Sequence, residues 1–277
     1  MTSRTPITVP DVARRKRSGG SAPFTMVTAY DEPSARLADA AGVDLLLVGD
    51  SVGNTVLGRP DTLSVTVEEM AHHTRAVAAA SPSALIVADM PWMSYHLDPM
   101  DAVRNAAILI RAGAACVKLE GGSNRAPAIA AITAAEIPVM GHLGLTPQSV
   151  LAMGGFKVQG KTKDAAAKLL ADAEAIQEAG CFAVVLEGIP DVVANEITEA
   201  LAIPTIGIGA GAGTDGQVLV FHDLLGLGNR TPAKFVRTYA DIGTQITSAI
   251  SAFVADVASG AFPSDAETYH APKSFND

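Results

Sequence analysis

The sequence predicts an α/β protein whose parallel strands close into a (β/α)8 barrel, and three observations carry that reading. Short aliphatic or β-branched runs alternate with Ala-rich helical stretches through nearly the whole chain, the pattern of βα units. There are eight such runs in 277 residues, which suits a barrel of about 250 residues. Polar or charged residues end nearly every run, and in a barrel those ends converge on one pocket.

The runs follow in order. FTMVTAY (24–30) leads into the helical EPSARLADAAG, and DLLLVGD (44–50) is followed by the Gly-containing connection SVGNTVLGRPDTLSV before TVEEMAHHTRAVAAA. ALIVADM (84–90) precedes DPMDAVRNAAILIRAG, and CVKLEG (116–121) and PVMGHLG (138–144) come next. A second long connection, GLTPQSVLAMGGFKVQGKT, then opens into KDAAAKLLADAEAIQEAG. FAVVLEG (182–188), PTIGIGAG (204–211) and QVLVFHDLLG (217–226) complete the set. Glycines after AA, RA and EA mark helix C-termini, and the two long connections have the length of barrel lids. No full helix fits between the seventh and eighth runs. An open doubly wound sheet would explain that gap too, but it binds its ligand at one switch point, whereas here the polar residues are spread over nearly every run.

No linker or second composition regime divides residues 1–277. A single barrel domain is expected, with a polar N-terminal arm over about 1–20 and a polar, Pro-containing C-terminal extension over about 259–277. Hydrophobic residues at 48% supply a sizeable core. A net charge of −9 with 18% charged residues argues against nucleic acid and anionic membranes as partners. The basic cluster Arg14, Arg15, Lys16 and Arg17 reads as a solvated helix face. The N-terminus lacks the apolar stretch of a secretory signal, and no run approaches the roughly 18 apolar residues of a membrane span. Cys116 and Cys181 lie inside apolar runs and read as small buried hydrophobes in a reducing, cytoplasmic setting.

The residues that end the runs are Tyr30–Asp31, Asp50–Ser51, Asp89, Lys118 with Glu120, His142, Glu187 and His222–Asp223. A single Asp here is usually a helix N-cap. Capping does not require Glu120 and Glu187, nor Lys118 two positions before Glu120, where alternation puts both on one face. Clustered carboxylates repel unless a cation offsets them, and oxygen ligands favour a hard ion such as Mg²⁺. Asp50 and Asp89 are the expected ligands, with Glu120 next to them. Lys118 is open to two readings, a Schiff-base amine or a fixed cation, and Glu120 beside it favours the cation. His142 reads equally as a satisfied core histidine or as a residue approached by ligand. IGIGAG reads as a phosphate cradle or as close packing.

The segments VGDSVGNTVLG (48–58), ADMPWMSY (88–95), VKLEGG (117–122), MGHLGLTPQ (140–148), LEGIP (186–190) and IGIGAG (206–211) resemble the ketopantoate hydroxymethyltransferase family, in the right order from about Thr25 to Pro232. The resemblance implies a barrel of the phosphoenolpyruvate/ketoacid (TIM) type, assembled as a homo-decamer of two stacked pentamers. It also implies a role in pantothenate and coenzyme A synthesis, with transfer of a hydroxymethyl group from 5,10-methylenetetrahydrofolate to 3-methyl-2-oxobutanoate to give 2-dehydropantoate. By that pattern Asp50 and Asp89 hold Mg²⁺ with Glu120 at the metal site, Ser51 and Lys118 touch the ketoacid, and Glu187 is the base. A base of this kind must stay off the metal. Two rivals stand beside this reading: a lyase or mutase on the same barrel, which typically carries a reactive Cys in a lid loop, and a non-catalytic ketoacid-binding barrel. No short motif marks a folate site. Lys157, Lys161 and Lys163 are candidates to steer a polyglutamate tail.

Overall fold

A computed structural model of the chain describes residues 4–16, 22–228 and 232–272. The strands are β1 (Phe24–Thr28), β2 (Leu45–Val48), β3 (Leu85–Asp89), β4 (Cys116–Glu120), β5 (Val139–Gly144), β6 (Ala183–Glu187), β7 (Thr205–Ile208) and β8 (Gly216–Leu219). Each pairs in parallel with the next, and β8 returns to β1 to close the barrel. One expectation about the last strands holds and one does not. Between β7 and β8 the chain turns without a helix, as the short spacing requires. The eighth strand stops at Leu219 and Phe221–Leu225 are helical, so His222 and Asp223 do not end a strand. Phe221 N–H donates to the side chain of Thr28, which starts the helix where a longer strand was expected.

Helices accompany the strands along the chain, and only some of them begin at a side-chain cap. Up to β7 the α-helices are α1 (Val9–Ala13), α2 (Glu32–Ala40), the short α3 (Val52–Thr55), α4 (Val67–Ala78), α5 (Pro99–Arg111), α6 (Ala126–Ala134), the short α7 (Val150–Met153), α8 (Lys163–Glu178) and α9 (Asp191–Ala200). Asp31 closes a capping box on α2, so the N-cap reading holds for this residue. Thr66, Asp98 and Thr162 cap α4, α5 and α8.

Side chains alternate along the strands and divide the core in two. Leu46, Val48, Val117, Leu119, Val184 and Leu186 face outward into the packing against the helices. Phe24, Met26, Leu45, Leu47, Leu85 and Val87 face inward and fill the lumen near the strand starts. The N-terminal arm joins this inner core. Val12 of α1 is fully buried in it, with Ile7 and Val9 packed against it; burying such a side chain is worth about 1.5–3 kcal/mol.

The reading of Arg14–Arg17 as a solvated face is corrected accordingly. Arg14 stays on the surface beside Asp11, but Arg15 and Arg4 both pair with Asp44, at 2.8 and 2.9 Å. Lys16 reaches the fully buried Asp215 at 3.1 Å. Arg17 lies outside the described residues. The charges that look like a surface run are the anchors of a plug, and acids distant in sequence supply their partners.

Contacts divide the chain into two compact units: the chain up to Phe221 with Ala233–Val236, and His222–Pro232 with the chain from Arg237 on. The second unit holds α10 (Phe221–Leu225) from His222 onward and α11 (Ile242–Ser259). Asp241 caps α11, and Gly260 ends it in the left-handed conformation.

Candidate active site

The inward positions change character along the barrel axis. Near the strand starts they are apolar; at the strand ends they are Asp89, Lys118, Glu120, His142 and Glu187, with Asp50 and Ser51 in the turn after β2. Parallel register brings them together, aligning Asp89 with Lys118, Glu120 with His142, and Gly144 with Glu187. Asp50, Asp89, Lys118, Glu120 and His142 are each at most 5% exposed, so their charges are matched by one another and not by bulk water.

Lys118 Nζ lies 2.9 Å from Asp89 Oδ1, and the backbone N–H of Asp50 donates to Asp89 Oδ2 at 3.0 Å. His142 bridges the two glutamates: Nδ1 is 3.2 Å from Glu120 Oε1, and Nε2 is 3.2 Å from Glu187 Oε2. Both contacts are close enough for charge attraction, but neither is aligned as a hydrogen bond; the hydrogen-bond partner of Nδ1 is Lys118 Nζ, at 3.3 Å. Tyr30 OH and Ser51 Oγ are hydrogen-bonded at 2.8 Å. Gly144 adopts φ +93°, and a Cβ there would fall 2.2 Å from the carbonyl oxygen of Glu187. Glycine is therefore required for β5 to approach β6 where Glu187 projects.

Two residues that sequence reasoning left without a role complete the network. Gln148 Nε2 donates to Asp50 Oδ2 at 2.8 Å and to the carbonyl of Met90 at 3.0 Å, while its backbone N–H donates to Glu120 Oε2 at 3.0 Å. Tyr95 OH donates to Gln148 Oε1 at 2.6 Å and accepts from the backbone N–H of Glu120 at 3.1 Å. Tyr95 lies on a loop and Gln148 in the single 3-10 turn Pro147–Ser149, where no periodicity marks an inward side chain. The only signal available was their place at the ends of the ADMPWMSY and MGHLGLTPQ segments.

The electrostatics are unbalanced. Asp50, Asp89, Glu120 and Glu187 set four carboxylates against the two cations Lys118 and protonated His142, a formal excess of −2. Burial, with the charges of Asp89 and Glu120, pushes the Asp50 carboxyl well above its usual range despite Lys118. Burial also raises Glu120, but His142, Lys118 and the Gln148 N–H outweigh it and hold Glu120 ionised. For Lys118, burial is outweighed by Asp89, Glu120 and Asp50, which keep the ammonium protonated. Burial and Lys118 lower His142, yet Glu120 and Glu187 on either side bring it up to about 9. His142 thus stands between the two glutamates, with Lys118 also against its Nδ1.

The same groups fit a divalent cation. Asp89 Oδ1 is buried without an aligned hydrogen-bond donor, and a +2 ion beside Asp50 and Asp89 would cancel the excess. Among the described residues no three His, Cys, Asp or Glu side chains form a complete cage. Two carboxylates completed by substrate oxygens and water suit a hard ion that retains its hydration. Glu120 spends its oxygens on His142 and Gln148.

The remaining sequence candidates resolve elsewhere. Gly209 packs under the Phe235 ring and Gly211 against Asp191, so close packing accounts for IGIGAG. Cys116 and Cys181 are free and buried, and burial pushes the Cys181 thiol up to about 12, as inert thiols should behave. No helix among the described residues is long and apolar enough to cross a membrane.

Known proteins resemble the chain at two levels, sequence and fold. The chain is 54% identical over 257 residues to 3-methyl-2-oxobutanoate hydroxymethyltransferase of Pyrobaculum arsenaticum, covering 92% of this chain and 97% of that one. It is 53% identical over 267 residues to the protein of the same name from Trichlorobacter lovleyi, covering 96% and 99%. Among solved structures, phosphonopyruvate hydrolase superposes with a TM-score of 0.61 at 15% identity, covering 95% of this chain and 92% of that one. A 2,3-dimethylmalate lyase of the PEP mutase/isocitrate lyase superfamily superposes with 0.60 at 19%, with the same coverage; at such identities the likeness is one of fold. The profile described as ketopantoate hydroxymethyltransferase matches residues 6–265, and the chain belongs to that family.

Proposed function

We propose that the chain transfers a hydroxymethyl group from 5,10-methylenetetrahydrofolate to 3-methyl-2-oxobutanoate, giving 2-dehydropantoate, with Mg²⁺ at the strand-end site. The observation that carries this reading is the crowding of Asp50, Asp89 and Glu120 at the strand ends, a formal excess of −2 once Glu187 is counted, with His142 standing between Glu120 and Glu187. Asp50 and Asp89 would hold the ion, which when bound polarises the 2-oxo carbonyl and acidifies the proton on C3.

Glu187 accepts that proton. It lies on the far side of His142 from Glu120, so its carboxylate is free to act as base without ligating the ion. Lys118 stays protonated in its contact with Asp89 and supports negative charge developing on the substrate oxygen. A lysine so firmly protonated is a poor Schiff-base nucleophile. Ser51, held by Tyr30, is positioned to donate to the ketoacid carboxylate. Gln148 and Tyr95 keep Asp50 and Glu120 in place through four hydrogen bonds.

The hydroxymethyltransfer reading extends to a cytoplasmic homo-oligomer, a decamer of two stacked pentamers, on the strength of the family pattern; sedimentation velocity tests the assembly. A coupled assay with 3-methyl-2-oxobutanoate and 5,10-methylenetetrahydrofolate, with and without Mg²⁺, tests the reaction. Metal-dependent formation of 2-dehydropantoate is expected, and no product with metal present rejects the reading.

A further inference from the structure

A cleft of about 390 Å³ opens beside the strand ends, outside the barrel lumen. Its floor is formed by Gly121–Gly122 and Leu143–Gly144, the segments that directly follow Glu120 and His142. One wall is the first half of α8, and Met153, Gln159 and Gly160 of the long β5–α8 connection line it from above. The site described so far does not use this space.

We propose that the cleft holds the pteridine ring of the folate donor, an inference that rests on the hydroxymethyltransfer reading. Its shape and chemistry match a flat bicycle with one polar edge. Leu143, Met153 and Leu169 supply apolar surface for the ring faces, Met153 with a polarisable thioether suited to aromatic contact. The 2-amino-4-oxopyrimidine edge presents adjacent N–H donors, and a buried carboxylate is the complementary acceptor. Asp172 provides one: its Oδ1 accepts from Ser123 N–H and Oγ at 2.9 and 2.7 Å, and among the described residues its Oδ2 accepts from Lys168 alone, at 2.9 Å. Burial raises Asp172, but Lys168 and Ser123 lower it further and keep it ionised. A Cβ on Gly122 would fall 2.2 Å from Asp172 Cγ, so this glycine lets the carboxylate reach the floor. Lys168 is 76% exposed and, with Lys157 on the overlying connection, puts positive charge near the mouth for the donor's carboxylate tail.

Position supports the same occupant. Gly144 touches the carbonyl of Glu187, and Gly121 N–H donates to the carbonyl of His142 at 3.0 Å. A ring in the cleft therefore lies one strand-end away from the proposed base, where a methylene carbon must meet C3 of the ketoacid.

The test is calorimetric titration of tetrahydrofolate into the full-length protein, the Asp172→Asn variant and the Ala165→Phe variant. The second fills the cleft from the first turn of α8 without altering a hydrogen bond. Exchange of the C3 proton of 3-methyl-2-oxobutanoate with deuterium, which needs no folate, is followed alongside by NMR. A tenfold or larger rise in the tetrahydrofolate Kd in both variants, with exchange at the wild-type rate, is expected. An unchanged Kd in Ala165→Phe overturns the cleft assignment while leaving hydroxymethyltransfer intact. Loss of exchange in both variants also overturns it, because the damage then reaches the ketoacid site. If the wild-type chain neither exchanges C3 nor binds tetrahydrofolate, the functional reading itself fails.

Discussion

The barrel buries two Lys–Asp pairs, one at each end, and they are built on opposite principles. At the N-terminal end Lys16 meets Asp215 and also donates to the carbonyls of Thr198 and Ile203, while Asp215 accepts from the N–H and hydroxyl of Thr205. Each charge there has an opposite charge and further hydrogen bonds. At the C-terminal end Lys118 meets Asp89, but Asp50, Glu120 and Glu187 crowd the same space, and Asp89 Oδ1 lacks an aligned donor. A buried pair with every partner in place is a structural anchor; a buried cluster with carboxylates to spare is organised around something it binds.

The contrast breaks most sharply at Glu187. Glu187→Gln keeps the shape and loses the proton acceptor, so C3 exchange should fall by about 10²–10⁴-fold while ketoacid binding persists; deuterium incorporation by NMR against calorimetric affinity checks this. At the other end, Lys16→Met leaves Asp215 buried without its cation and should destabilise the fold by about 3–5 kcal/mol, read by chemical denaturation. The turnover of the molecules that remain folded should match the wild type.

His142 sharpens the comparison through pH. Its folded pKa, raised from 6.5 to about 9, means that its charge stabilises the fold fully below about pH 6.5 and that this contribution is lost as pH rises through about 9. Thermal melts from about pH 6 to pH 10 should show a decline in wild-type Tm that His142→Gln lacks. The smallest effect belongs to Arg14. Its exposed pair with Asp11 should leave Tm unchanged when Arg14 becomes Ala, whereas Arg15→Ala, which removes a partner of Asp44, should lower it measurably.

Much of the C-terminal end was legible in the sequence, because strand alternation announces an inward charge. Lys118 and Glu120 two apart, with Leu119 between them facing the helices, have one consistent placement. Asp31 and Asp50 look alike as acids after a strand, yet one caps a helix and the other joins the cluster. Only their neighbours in space decide between those fates. Gln148 and Tyr95 carry no such signal, because a loop and a single 3-10 turn have no period. The plug at the other end was misread for a related reason: Arg15 and Lys16 find Asp44 and Asp215 across 29 and 199 positions of chain, a pairing that local charge patterning does not register. The end of β8 was misjudged because QVLVF reads as an unbroken apolar strand, while the Thr28 side chain starts a helix at Phe221.

On the proposed function the carboxylate excess at the strand ends serves a divalent cation and the ketoacid, whereas the N-terminal pair serves neither. Calorimetric titration of 3-methyl-2-oxobutanoate with Mg²⁺ or with chelator, run on the wild type, Asp89→Asn and Lys16→Met, tests it directly. Mg²⁺-dependent binding is expected in the wild type and in Lys16→Met, with loss of both ion and ketoacid affinity in Asp89→Asn. Ketoacid binding that is equally tight with chelator, or unchanged in Asp89→Asn, would contradict it.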